Sequence, residues 1–305
     1  MSRIYEALQK AESDRKLDRS EQLDEQVSGM SWPSPAAVAE YELPPAVAPS
    51  ATSTRVLPLD LNGVTRRPWT LSYAHVPALM ERGAGVEQFR SLRSRIHELR
   101  DISPLKSILV TSGMPQEGKS FVSLNLAVSL ARHKNSKVLL IDGDMRRYSL
   151  HRALGCESHP GLAEYLGGKA GMVEVMQRAQ ETPDRDKLWQ GVLPNLTFIA
   201  GGEAGDKAAD LSGNPRFGEL LREASPYFDW IVVDSSPVLP VSDGANLARH
   251  CDGVLLVVRG GVTKYPVAQR AQSELKASNI LGFVLNAVVD QAQTSTYDGY
   301  DAGHE

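Results

Sequence analysis

Residues 107–132 read SILVTSGMPQEGKSFVSLNLAVSLAR, and the fold is decided there. Ile108, Leu109 and Val110 form an apolar run suited to a buried strand. The run breaks over Gly113 to Ser120. Phe121, Leu124, Ala127, Val128 and Ala131 then return at helical spacing. The pattern is G-x-x-x-x-G-K-S between a strand and a helix, the setting that separates a phosphate-binding loop from a chance match. Gly113 and Gly118 let the backbone curl so that successive N–H groups face a phosphate chain. The helix N-terminus adds its partial positive charge at the same place. The chemistry assigns Lys119 to the β- and γ-phosphates and Ser120 to a Mg²⁺ ion. Pro115, Gln116, Glu117 and Phe121 complete the candidate nucleotide-binding stretch.

A second apolar run, Val138 to Ile141, leads directly into Asp142-Gly143-Asp144-Met145-Arg146-Arg147. Carboxylates at the C-terminal end of a parallel strand sit at the rim where open α/β sheets bind ligands. Read alone, the same residues fit a polar strand-end turn. A third run, Trp230 to Val233, ends in Asp234-Ser235-Ser236-Pro237, four apolar residues and then an acid able to hold the metal. Further strands are expected over 196–200, 253–258 and 282–288. Helices are expected over 86–99, 161–166, 173–176, 215–224, 242–248 and 266–277. This alternation predicts a doubly wound, mainly parallel α/β sheet with helices on both faces.

The flanks differ in composition. Residues 2–20 have helical spacing, with Ile4, Tyr5, Leu8 and Ala11 on one face; a docking helix and a solvated terminus both fit. From Gln22 to Ser53 the chain is rich in Pro, Ala, Ser and Glu, the composition of a flexible linker. Residues 55–80 suggest no role. The expected partition is an N-terminal helix (1–20), a linker (21–80), a catalytic domain (81–290) and a polar tail (291–305) carrying Tyr297 and Tyr300. The formal charge of −4 gives no reason to expect nucleic acid as a partner. No apolar run approaches the roughly 18 residues of a membrane span, so membrane association is expected only through a partner. Cys156 and Cys251 lack metal-ligand spacing, and reduced thiols in a cytoplasmic protein are the expectation.

The order of these motifs resembles the MinD/ParA-like branch of P-loop proteins, and within it the bacterial tyrosine kinases of capsule and exopolysaccharide synthesis. Those kinases carry S-x-x-P-x-E-G-K-S/T, matched by Ser112 to Ser120. Their second motif, D-x-D-x-R, is matched by Asp142, Asp144 and Arg146. Their D-x-P-P is Asp234-Ser235-Ser236-Pro237 here, with one proline replaced. Their E-x-x-R-x-x-R oligomerisation motif is matched by Glu87, Arg90 and Arg93, a stripe that on a lone helix would read as a solvated charged face. The resemblance implies transfer of the ATP γ-phosphoryl to tyrosine, with Lys119 on the phosphates and Ser120, Asp144 and Asp234 around Mg²⁺. It further implies Asp142 as the group orienting or deprotonating the acceptor, and Asn286 as an adenine contact. Tyr297 and Tyr300 become acceptors presented to a neighbouring subunit of a ring. An integral-membrane chain-length (co-polymerase) protein becomes the activator, holding the kinase peripherally at the inner membrane. One departure stands out: the tail has two tyrosines instead of a dense cluster. Two rival readings are a ParA/MinD-type ATPase and a non-catalytic ATP-binding assembly factor. Met114 stands where such ATPases carry an extra lysine, and three acids exceed what a pure binder needs.

Overall fold

The structure is a computed structural model that describes residues 60–71, 73–133, 135–180 and 193–288. The expected N-terminal helix, the linker up to residue 59 and the tail tyrosines Tyr297 and Tyr300 lie outside the described residues. In chain order the elements are β1 (Thr65–Arg67), α1 (Ala84–Ile102), β2 (Ser107–Ser112), α2 (Lys119–Ala131), β3 (Val138–Asp142), α3 (Leu150–Leu154), α4 (Leu162–Leu166), α5 (Met172–Val175), β4 (Met176–Ala179), β5 (Leu196–Ile199), α6 (Ala208–Ser212), α7 (Arg216–Ala224), β6 (Trp230–Asp234), α8 (Asp243–Ala248), β7 (Gly253–Arg259), α9 (Tyr265–Glu274) and β8 (Ile280–Asn286).

The strands form one sheet in the order β1-β4-β5-β3-β6-β2-β7-β8. The six strands from β5 to β8 run parallel, and β4 pairs antiparallel to β5 with β1 beside it. Side-chain alternation splits the interior into two layers. Ile108, Val110, Val138 and Leu140 join α2 and the contacts of α1 on one face. Leu109, Leu139, Ile141, Ile231 and Val233 join α4, α7 and α8 on the other. This is the doubly wound α/β fold expected from the apolar runs, with an antiparallel margin added. Residues 173–176 were expected as one helix. Instead α5 stops at Val175 and Met176 begins an extended strand against Ile199, a case of tertiary pairing overriding helix propensity.

The expectation that a linker extends to residue 80 is overturned over residues 60–80. Trp69, Val76, Ala78 and Leu79 are buried in the same core as α2. Trp69 meets Phe198 edge-on at 6.3 Å. The reason is visible on α2, which is buried along its length from Val122 to Ala131 and therefore needs partners for its polar side chains. Asn125 provides them: its Nδ2 donates to the His75 and Phe121 carbonyls, and its Oδ1 accepts from Ala78 N–H at 3.0 Å. Arg132 adds bonds to the Ala78 and Met80 carbonyls. The segment is thus fastened by α2 more than by its own composition. No described helix is long and apolar enough to cross a membrane.

Candidate nucleotide and phosphoryl-transfer site

The loop from Gly113 to Gly118 joins β2 to α2 at the C-terminal rim of the sheet. Gly118 caps α2 in a left-handed conformation at φ 94°, and a Cβ there would lie 1.9 Å from Asn286 Nδ2. Only glycine fits both the dihedral and the space. Asn286 itself donates to the Glu117 carbonyl at 3.0 Å, so its amide braces the loop. Glu117 is buried; one carboxylate oxygen accepts Met114 N–H at 2.8 Å and the other accepts the Thr263 hydroxyl. The sequence marks Glu117 as a nucleotide contact, whereas its side chain is spent on shaping the loop. Arg259, at the end of β7, reaches the Gln116 carbonyl at 3.4 Å. Pro115, Gln116 and Lys119 line an open cleft of about 320 Å³ together with Asp144, Arg146 and Pro237.

Three carboxylates gather at this rim. Asp142 and Asp234 are direct register partners on β3 and β6. Gly143 lets the chain pass between them: its N–H donates to the Asp234 carbonyl at 2.8 Å, and a Cβ would sit 2.6 Å from that oxygen. Asp144 turns toward the loop, where its Oδ2 pairs with Lys119 Nζ at 2.9 Å and its Oδ1 accepts the Ser236 hydroxyl at 2.9 Å. Burial alone would lower the Lys119 pKa, but Asp234 and Asp144 outweigh it and hold the ammonium above its ordinary value. Burial pushes the Asp234 carboxyl upward, opposed first by the charge of Lys119. Burial, reinforced by Asp234, carries Asp142 up to about 7, against two N–H donors that favour its charged form.

Those donors are the amides of Ser149 and Leu150, at 2.9 and 3.0 Å from Asp142 Oδ2. Asp142 therefore closes the loop over residues 143–149 and tethers the start of α3. Asp234 Oδ1 accepts the Ser123 hydroxyl at 3.0 Å, and Oδ2 is a buried oxygen with no hydrogen-bond partner in range among the described residues. An orphaned carboxylate oxygen beside Ser120 and Lys119 suits a water-bound Mg²⁺, which takes one or two carboxylates and leaves the rest to phosphate and water. The described residues contain no group of three His, Cys, Asp or Glu able to hold a metal unaided. The donor set therefore fits a metal that arrives with a polyphosphate.

The charged stripe on α1 divides. Arg90 pairs with Glu87 at 2.6 Å on the exposed surface. Arg93 points inward and donates to the Ser129 carbonyl at the end of α2, at 2.8 Å. Ser123, Ser236, Asp243 and Thr263 carry functional bonds that the motif reading does not assign. For Ser236 the available signal is the break in D-x-P-P, since a proline has no hydroxyl to give Asp144.

This strand-loop-helix, with its capped glycine, its lysine and its acids on two neighbouring strand ends, defines a P-loop nucleotide-binding protein of the α/β class. No family model matches the chain. The tyrosine-protein kinase YwqD of Bacillus subtilis is 33% identical over 202 residues, 66% of this chain and 80% of that protein. The chain belongs to the bacterial tyrosine-protein kinase family. The tyrosine-protein kinase Wzc of Salmonella typhimurium is 31% identical over 218 residues, 70% of this chain but 28% of that protein. The chain thus spans most of YwqD and about a quarter of several longer relatives. The solved kinase domain of Escherichia coli tyrosine kinase ETK superposes with a TM-score of 0.61 at 31% identity, covering 70% of this chain and 80% of that one.

Proposed function

We propose that this chain is an ATP-dependent protein-tyrosine kinase whose acceptors are tail tyrosines of a neighbouring copy, in the control of exopolysaccharide chain synthesis and export. The observation that carries the reading is the convergence of Lys119, Ser120, Asp144 and Asp234 on one cleft in a chain of this family. ATP is the substrate, held by the loop amides and Lys119, with Asn286 beside the adenine end. Ser120 would ligate Mg²⁺, with Asp144 and Asp234 holding it through its water shell, and the ion would supply charge neutralisation for phosphoryl transfer. The bond from the γ-phosphorus to the bridging β-oxygen breaks as a bond to the tyrosine oxygen forms. The phenolic proton passes to Asp142, whose raised pKa suits a base near neutrality.

Glu87 and Arg90 supply the exposed part of a ring contact, and Arg93 holds α1 to α2 behind it. Tyr297 and Tyr300 are the acceptors, and their phosphorylation adds charge to an acidic tail and loosens the ring. The activator is a membrane co-polymerase that keeps the kinase peripheral at the inner membrane. The test is phosphotyrosine formation with Mg²⁺-ATP, with and without the cytoplasmic tail of such a partner, for wild type, Lys119→Met and the double variant Tyr297→Phe/Tyr300→Phe. Signal lost in both variants is the expected result. Signal surviving in the tyrosine variant moves the acceptor elsewhere. Phosphate release without phosphotyrosine under any condition overturns the kinase reading in favour of an ATPase.

A further inference from the structure

Arg146, which lines the cleft, and Asp243 form a polar contact that the reaction above does not use. Arg146 follows Asp144 by two residues in the loop after β3. Asp243 begins α8, nearly a hundred residues later, and is almost fully buried. Arg146 Nε donates to Asp243 Oδ2 at 2.6 Å, and Nη2 approaches Oδ1 at 3.4 Å. A side-on fork of this kind fixes the plane of a guanidinium as well as its position. The third nitrogen, Nη1, has no partner among the described residues. Arg146 lines the same cleft as Lys119 and Asp144, and its side chain is 36% exposed. A buried carboxylate without a cation would be costly, yet pairing alone would be met by a guanidinium turned away from the cleft. Instead the pair leaves one guanidinium nitrogen unpartnered, among the described residues, on a side chain that lines the cleft with Lys119.

We propose that Asp243 is a positioning residue that holds Arg146 so that its free edge contacts the terminal phosphate of bound ATP. This rests on the nucleotide-binding part of the reading above, and deepens it by naming a second cation besides Lys119. Charge on the transferring group rises on its outer oxygens, and a fixed donor there needs no reorganisation during transfer. Arg146 would then distinguish ATP from ADP, because only ATP carries the phosphate it touches.

The experiment is equilibrium binding of ADP and of the non-hydrolysable analogue AMP-PNP, each with Mg²⁺, to the full chain. The proteins are wild type, Arg146→Ala, Arg146→Lys, Asp243→Asn and the double variant Arg146→Ala/Asp243→Asn, each with its melting temperature. Arg146→Ala is expected to weaken AMP-PNP roughly tenfold or more, the scale of a charge-assisted hydrogen bond, and to leave ADP unchanged. Asp243→Asn is expected to lose part of the same preference, and the double variant to be no worse than Arg146→Ala. Arg146→Lys keeps charge without the fork and is expected to recover only part. An unchanged AMP-PNP to ADP ratio in Arg146→Ala overturns the proposal. So does an Asp243→Asn variant that melts lower yet keeps the wild-type ratio, or a double variant whose losses add. No tyrosine takes part in this measurement, so failure here leaves the phosphotyrosine assay standing, and failure there leaves this one standing.

Discussion

Replacing Glu117 separates two roles that the sequence alone runs together. If its carboxylate contacts nucleotide, its loss affects binding and little else. The structure instead makes it a brace between Met114 N–H and the Thr263 hydroxyl, and Thr263 is itself fixed by accepting Arg259 N–H at 2.9 Å. Each hydrogen bond to a charged group contributes about 1.5–3 kcal/mol, so Glu117→Ala forfeits roughly 3–6 kcal/mol in gross terms. Two effects reduce this. A buried carboxylate is released from its desolvation cost, and water can reach the half-open Met114 region. A net loss of about 2–4 kcal/mol follows, or a fall in Tm of roughly 5–12 °C for a domain of this size. ATP affinity should drop about tenfold or more, because loosened loop amides no longer converge on the phosphates. Glu117→Gln keeps an acceptor for Met114, and its amide can donate to Thr263, so it should retain most of both properties. Calorimetric titration and thermal melts on the three proteins decide the matter. The brace is refuted if Glu117→Ala melts within 2 °C of wild type, or if Gln and Ala lose ATP equally at unchanged Tm.

Two further outcomes follow from the fold and its charges. Trp69→Ala should cost about 2–4 kcal/mol in urea unfolding: the usual 3–5 for a buried tryptophan, less some relief from removing an indole N–H without a partner among the described residues. A change below about 0.5 kcal/mol, typical of surface sites, would return residues 60–80 to the linker. Asp142 binds its proton more tightly in the fold than in the unfolded chain. Its favourable contribution is therefore complete below the ordinary carboxylate value and is lost as pH climbs from about 4 to about 7. Relative to wild type, Asp142→Asn should gain stability over that window, by up to about 4 kcal/mol. Urea titrations at pH 4.5, 6 and 7.5 in the absence of nucleotide check this; a difference that does not vary with pH contradicts it.

The legible parts of this protein are those governed by local rules. Ile108 to Val110, Val138 to Ile141 and Trp230 to Val233 are apolar because both faces of their strands are covered, and each ends at the rim where the candidate site lies. The placement of Lys119, Ser120, Asp144 and Asp234 together at the C-terminal rim of the sheet was therefore readable from order and spacing. The parts that were not readable depend on who covers whom. Residues 60–80 look like linker until α2 is seen to be buried along its length, with Asn125 needing the His75 carbonyl and Ala78 N–H. Arg93 looks like part of an exposed stripe until the end of α2 presents a carbonyl to it.

The same distinction explains the division of labour at the site. Groups that touch ligand are constrained by chemistry and cluster within short motifs. Groups that hold them are constrained only by reach, and arrive from anywhere: Ser236 from 92 residues away on Asp144, Asp243 from 97 on Arg146. The replaced proline shows how this works. In losing a ring at Ser236 the chain gains a hydroxyl, and that hydroxyl holds Asp144 Oδ1 while Oδ2 holds Lys119. Before nucleotide arrives, Lys119 is thus paired with an acid that is itself anchored. Phosphate must compete for the ammonium against a fixed carboxylate, which favours a ligand of high charge brought in with its own cation over a bare anion.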